Sequence, residues 1–246
     1  GRPEDADLSA LRHGLVAAEP LSPGLLDEWR ERGGTELYES LGMTEVSTYI
    51  SSGPSTPVRP GSPGRSQPGR RIAILPPDGG EEPLAAGDVG LLAVHRSDPG
   101  LMLGYWRRPE EDAVVFRGEW FTGGDLAAID EDGYVWFHGR ADDVIKSFGY
   151  RLSPVEIEAA LLTCPGVAEV AVVGLAVEEG KTLITACAVP EPGAIVDEQT
   201  LTAHAAEHLA GYKRPHQYRF VESLPRATTG KLQRSALVEL LLAEAD

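Results

Sequence analysis

The chain has 246 residues, 42% of them hydrophobic and 24% charged, which suits one large or two smaller globular domains with a real core. Its 22 Lys and Arg against 38 Asp and Glu leave a formal charge of −16, which argues against a nucleic-acid partner, because such binding is driven by Lys and Arg neutralising phosphates. No apolar run approaches the roughly 20 residues that span a bilayer, and no apolar stretch follows a basic start, so neither a membrane span nor a signal peptide is expected.

Residues 1–52 read as α/β. The run 11–17 is short and apolar. Ser22-Pro23 supplies a helix cap followed by Pro at the first helical position. Leu25, Leu26 and Trp29 are expected on one buried helical face, and Gly33-Gly34 stops the helix. Residues 35–41 form a strand that feeds a loop carrying Thr44 and Glu45. Residues 53–70, rich in Pro, Gly and Ser, read as a surface loop. Residues 71–139 look all-β, with strands at 71–75, 90–95, 126–130 and 134–139, and a hairpin turn at Asp130-Glu131-Asp132-Gly133. They suggest a small barrel or a twisted sheet.

A second, α+β domain is expected from about Asp142 onward. Ser153-Pro154-Val155-Glu156 is a capping box, and Ile157, Ala160 and Leu161 give its helix a buried face. Strands are expected at 167–175, 183–189 and 217–221, and an amphipathic helix at 197–209. A last helix runs over 231–244 with Leu232, Leu237, Leu240 and Leu241 apolar. Cys164 and Cys187 are the only cysteines and read as buried thiols of a cytoplasmic protein.

Four segments carry possible chemistry. Thr44-Glu45 places a hydroxyl beside a carboxylate; it is either a solvated surface pair or a site for a metal-bound phosphate. Asp125, after Gly123-Gly124, is either a turn residue or an acceptor for two vicinal hydroxyls, as on a ribose. The span from Arg140 to Arg151, with Asp142, Asp143 and Lys146, is a charged linker and a natural hinge. Thr228-Thr229-Gly230-Lys231 resembles half a P-loop, but Pro225 stands where the leading Gly belongs. Lys231 on a loop of small residues is suited to delivery into a site. His204, Glu207 and His208 match an inverted zinc-protease pattern on a short Ala-rich helix that is not read as a metal site. Residues 51–59 superficially resemble a phosphate loop but are too rich in proline and read as a surface connection.

Taken in order, these blocks resemble the C-terminal half of an AMP-forming acyl-CoA synthetase of the adenylate-forming superfamily. The resemblance runs from Leu21-Ser22-Pro23 through Leu41-Gly42-Met43-Thr44-Glu45, Arg59-Pro60-Gly61-Ser62 and Gly104-Tyr105-Trp106. It continues through Trp120-Phe121-Thr122-Gly123-Gly124-Asp125, Gly139-Arg140-Ala141-Asp142-Asp143 and Tyr212-Lys213-Arg214-Pro215 to Leu224-Pro225 and Gly230-Lys231. It implies that 1–141 end a large adenylate-binding domain and that 142–246 are a mobile C-terminal lid. Thr44 would contact the α-phosphate and Glu45 would hold Mg²⁺. Glu39 and Leu41 would border the adenine. Asp125 and Arg140 would bind the ribose, with Phe137 packing nearby. Lys231 would bridge the substrate carboxylate and the α-phosphate. Asp142 would be the hinge, Arg151 would approach the ATP phosphates in one orientation, and Gly149 would line the pantetheine tunnel in the other.

The implied activity is ligation of a carboxylic acid to coenzyme A with ATP converted to AMP, in fatty or aryl acid metabolism. An adenylation domain that loads a carrier protein and a stand-alone binding module are the alternatives. The sequence departs from the family pattern at Leu41, where an aromatic commonly stacks on adenine, and at Phe148, where a small residue is common. The family's phosphate loop and most of its acid pocket have no counterpart here. A truncated, inactive fragment is therefore expected, with apolar surface around Leu11, Leu15 and Trp29 that is covered by a missing half or by a second copy.

Overall fold

The computed structural model describes residues 7–17, 21, 23–178, 181–228 and 230–243. The chain divides into two compact units, Gly1–His138 and Gly139–Asp246. No helix among the described residues is long and apolar enough to cross a membrane.

The first unit is built on a nine-stranded sheet. Strand β1 (His13–Val16) is followed by helix α1 (Pro23–Gly33) and strand β2 (Glu36–Met43), which runs parallel to β1. Strands β3 (Ser47–Ser51), β4 (Gly64–Ser66), β5 (Ile72–Leu75), β6 (Gly90–His95), β7 (Phe116–Arg117), β8 (Trp120–Ile129) and β9 (Tyr134–Arg140) follow, with helix α2 (Pro109–Val115) before β7. The lateral order is β1-β2-β3-β4-β9-β8-β6-β5, with β7 on β8. Among the described residues no pairing closes this path, so the twisted-sheet alternative is seen and not a barrel. Its core is Val46, Tyr49, Ile50, Ile74, Leu92, Val94, Phe121, Ala127 and Val135. Leu26 and Leu37 form a second cluster, against which Val16 and Trp29 pack.

Several expectations are corrected here. Leu25 is exposed, whereas Leu26 is buried, because the narrow buried stripe of so short a helix takes only one of two consecutive leucines. The expected cap Ser22 lies outside the described residues. Residues 53–70 are more than a surface loop. They contribute β4, which pairs with β3 and β9, and Arg59 binds Asp130 at 3.1 Å and Asp132 at 2.6 Å. The span 71–139 is not all-β: α2 has Pro at its start and Glu110, Glu111 and Asp112 in its first turn, where carboxylates face the positive end of the helix dipole. Asp125 is not a turn residue ahead of a strand at 126; it lies inside β8, which begins at Trp120. Leu11 and Leu15 are exposed, as expected, while Trp29 packs against the Leu26 cluster.

The second unit is an α+β layer. A hairpin of β10 (Ile145–Ser147) and β11 (Tyr150–Leu152) precedes α3 (Pro154–Leu162). Strands β12 (Val167–Glu178), β13 (Lys181–Pro190) and β14 (Gln217–Phe220) form a sheet in that order, β14 parallel to β13. Helix α4 (Glu198–His208) lies between β13 and β14 in the chain, and α5 (Arg234–Ala243) ends it. Side chains alternate across the sheet. Val172, Ile184, Ala186 and Ala188 pack with Ile157 and Leu161 of α3 and with Leu201 and Ala205 of α4. Ala171, Val173, Leu175 and Cys187 pack with Leu237 and Leu241 of α5. Ser153 caps α3 by accepting from the Glu156 N–H, and Asp197 caps α4 by accepting from Thr200. Both cysteines are free and buried.

Two more corrections belong to this unit. The last helix begins at Arg234, not at Lys231, and Leu240 faces solvent. The charged span 140–151 is not only a linker, because it contains the β10–β11 hairpin.

Candidate functional site

The two units carry separate groups of the residues singled out by sequence. In the first, Thr44 and Glu45 occupy the tight turn between β2 and β3. Gly42 makes that turn possible: a side chain there would meet the Ser47 carbonyl oxygen at 2.7 Å. Ser47 itself has φ 66°, a conformation uncommon for non-glycine residues. Thr44 is exposed and Glu45 half-buried. The Glu45 backbone carbonyl accepts from the Met102 N–H at 2.6 Å, and its Oε1 accepts from the Tyr105 hydroxyl at 2.8 Å. Burial first, and then the bond to Glu45, push the Tyr105 phenol up to about 12, so it stays a donor at neutral pH. Tyr105 is in turn held by its N–H, which donates to Asp112 Oδ1 at 2.8 Å.

A buried ion pair stands behind this turn. Arg70 binds the fully enclosed Asp98 carboxylate and donates to the Thr48 carbonyl at 3.0 Å. The same Asp98 accepts the Gly100 N–H at 2.8 Å. Asp98 and Arg70 thereby tie residues 98–102 to the strand that leaves the turn.

Glu39 is buried at 7% exposure, and that burial pushes its carboxyl up. Its backbone is locked by Ser52, whose hydroxyl accepts the Glu39 N–H at 2.8 Å. Leu41 packs against the main core opposite Ile50. Asp125 is buried within β8. Burial and then the Asp125 charge push the Tyr49 phenol well above its usual range; the Tyr49 hydroxyl is enclosed and has no protein partner. Phe137 is half-buried in β9.

In the second unit the singled-out groups lie mostly at the surface. Arg140 donates to Asp142 from Nε at 3.1 Å and from Nη2 at 3.4 Å. Partial burial would push the Asp142 carboxyl up, but Arg140 above all, with a backbone hydrogen bond and last the Lys231 charge, outweighs it and holds the group below the usual carboxylate range. Lys231 is thus within electrostatic reach of Asp142. It is exposed on a loop whose base is shut by Gln233 N–H donating to the Pro225 carbonyl at 2.9 Å and by a bridge between Arg226 and Leu232. Arg226 also reaches Glu169 at 2.6 Å and the Gly230 carbonyl at 2.8 Å.

Gly149 and Phe148 form the two-residue turn of the β10–β11 hairpin, at φ 84° and 47°. Two positive φ values mark the turn type whose twist suits a hairpin. Phe148, 63% exposed, leans on His216 with ring centroids 5.3 Å apart. Arg151 is exposed on β11, opposite Lys146. His204 contacts the Ala160 carbonyl at 3.1 Å and Thr163 at 2.9 Å, and His208 contacts the His204 carbonyl at 2.9 Å. The imidazoles of this zinc-protease-like pattern therefore serve α3 and α4.

Residues 1–106 match the AMP-binding enzyme family, and residues 156–231 match the AMP-binding enzyme C-terminal domain. An uncharacterized acyl–CoA ligase of Bacillus subtilis, YtcI, is 37% identical over 234 residues, which cover 94% of this chain and 44% of that protein. A 3-hydroxybenzoate–CoA ligase of Aromatoleum is 36% identical over 240 residues, covering 95% of this chain and 45% of that protein. The crystal structure of ATP-bound MatB from Rhodopseudomonas palustris superposes with a TM-score of 0.86 at 34% identity, over 92% of this chain and 44% of that one. An anthranilate CoA ligase, AuaEII, in complex with anthranoyl-AMP also gives 0.86 at 34% identity, over 99% of this chain and 47% of that one. The chain therefore spans less than half the length of these relatives.

Proposed function

The chain belongs to the AMP-binding, adenylate-forming enzyme family, and from that premise we propose that it is the C-terminal portion of an ATP-dependent carboxylic acid–CoA ligase. In the first half-reaction a substrate carboxylate oxygen attacks the α-phosphorus of ATP and pyrophosphate leaves. In the second, the CoA thiol attacks the acyl carbon and AMP leaves. The 3-hydroxybenzoate and anthranilate CoA ligases named above support CoA as the acceptor and an aryl acid as one candidate substrate beside a fatty acid, and a cytoplasmic setting goes with the proposal.

Each residue is assigned a role. Glu39 and Leu41 border the adenine. Asp125 and Arg140 hold the ribose beside Phe137, and Thr44 contacts the α-phosphate. Glu45 is the protein ligand for Mg²⁺. Among the described residues there is no cluster of three or more candidate metal ligands, and a lone carboxylate beside a hydroxyl suits Mg²⁺, which is commonly bound through one or two carboxylates together with substrate phosphates. When bound there, the ion would neutralise phosphate charge. Residues 1–141 form part of the large domain and 142–246 the mobile lid, which turns about Asp142. Arg151 faces the phosphates in one orientation and Gly149 the pantetheine arm in the other.

The observation that carries this reading is Lys231. It is an exposed cation on a loop anchored at its base, within electrostatic reach of the hinge aspartate. Attack on the α-phosphate gathers negative charge, and a positioned cation stabilises it. Lys231→Ala in the intact enzyme is expected to slow ATP–pyrophosphate exchange about 100- to 1,000-fold, the cost of losing one such donor. Thioester formation from preformed acyl-adenylate should be spared. Equal losses in both assays would remove the role.

A further inference from the structure

We propose that Arg234 is the positioning residue for Lys231, holding the lysine loop in register with the hinge. This rests on the reading of Lys231 given above. Arg234 is the first residue of α5, three positions after Lys231. Its Nη2 lies 2.6 Å from both oxygens of Glu158 on α3, and its Nη1 lies 3.5 Å from Asp143, the neighbour of the hinge residue. Glu158 Oε1 also accepts the Val172 N–H of β12 at 2.8 Å. One guanidinium therefore joins four parts of the unit: the lysine loop with its helix, α3, β12 and the start of the hinge segment.

The pair is mostly enclosed, with Arg234 19% and Glu158 15% exposed, and one Arg234 nitrogen, Nε, is buried without a partner. Desolvating two charges costs much of what their attraction returns, so stability alone is a weak reason to keep such a pair; setting one register is the better one. Only a planar, forked cation spans Glu158 and Asp143 together. Without it the loop keeps its Pro225–Gln233 closure and its Arg226–Glu169 tie, but loses its link to residue 143. Lys231 remains, displaced from the place where charge develops.

The test compares Lys231→Ala, Arg234→Ala and Arg234→Lys in the intact enzyme. It uses pyrophosphate exchange, thioester formation from synthetic acyl-adenylate, and the denaturation midpoint. Arg234→Ala should lower exchange about 10- to 100-fold, as a misplacement of about 1 Å does, and leave thioester formation unchanged. Arg234→Lys should fold with a midpoint near that of the parent and recover part of the exchange. The proposal is overturned if both half-reactions fall together in step with the midpoint, or if exchange is unaffected in a folded Arg234→Lys and Arg234→Ala. If Lys231→Ala spares exchange, the role of Lys231 is what fails, and the proposal falls with it; a selective loss in Lys231→Ala with none in Arg234→Ala sinks the positioning role alone.

Discussion

The first unit holds most of its functional candidates in the sheet, with Thr44 and Glu45 in a turn beside it, whereas the second carries most of its own at the surface. Glu39, Leu41 and Asp125 are fixed by strand pairing and burial, and Glu45 by Tyr105 and Met102. Lys231, Asp142, Arg151 and Gly149 are exposed on a loop, a strand junction and a hairpin. The difference fits a division of labour. On the proposed roles, groups that hold one nucleotide throughout a reaction gain from rigid support, and groups that serve one half-reaction gain from an exposed position.

The comparison is tested most severely at Asp98. If the Thr44–Glu45 turn depends on buried support, Asp98→Ala leaves Arg70 enclosed without its counter-charge. Breaking such a pair costs about 3–5 kcal/mol, read as a lower denaturation midpoint of the first unit, and both half-reactions should fall. A midpoint unchanged by Asp98→Ala would mean the turn stands without this support.

A smaller effect is expected from Tyr105→Phe, which removes only the donor to Glu45. A hydrogen bond to a charged group is worth about 1.5–3 kcal/mol, and the loss should appear as a higher Mg²⁺ requirement for nucleotide binding with the fold intact. Because the Tyr105 hydroxyl stays protonated to about 12, this difference should not vary between pH 6 and pH 9, taken as about the neutral range in which no phenol of that strength ionises.

The smallest effect belongs to the surface of the second unit. The Asp142 carboxyl is held below its unfolded value. It therefore contributes stability above the unfolded value of about 3.9, which is lost as pH falls through the folded value. Denaturation of the chain at mildly acidic and strongly acidic pH should show this loss in the parent and not in Asp142→Asn. The exposure of the Arg140–Asp142 pair keeps it small. An acid loss as large as that from Asp98→Ala would erase the contrast between the units.

Much of the second unit was legible in the sequence. Ser153 with Glu156, the amphipathic stretch 197–209, and the β-branched runs of β12 and β13 are local signals, read within a few turns or a strand of their own residue. The order of the blocks from Leu41 to Lys231 was enough to indicate the family. The Pro and carboxylates that open α2 are also local, but a seven-residue helix with no buried residue shows no helical period in the sequence. Strands β3 and β4 were not legible: β3 is five residues long with only Tyr49 and Ile50 buried, and the three residues of β4 form a strand because Gly64 pairs with Val135 across the sheet. Tyr105 meets Glu45 across 60 positions, Arg70 meets Asp98 across 28, and Arg234 meets Glu158 across 76. Side-chain periodicity follows from the helix and strand repeats and is written along the chain. A pairing between distant side chains has no period, so only the packed tertiary structure decides it.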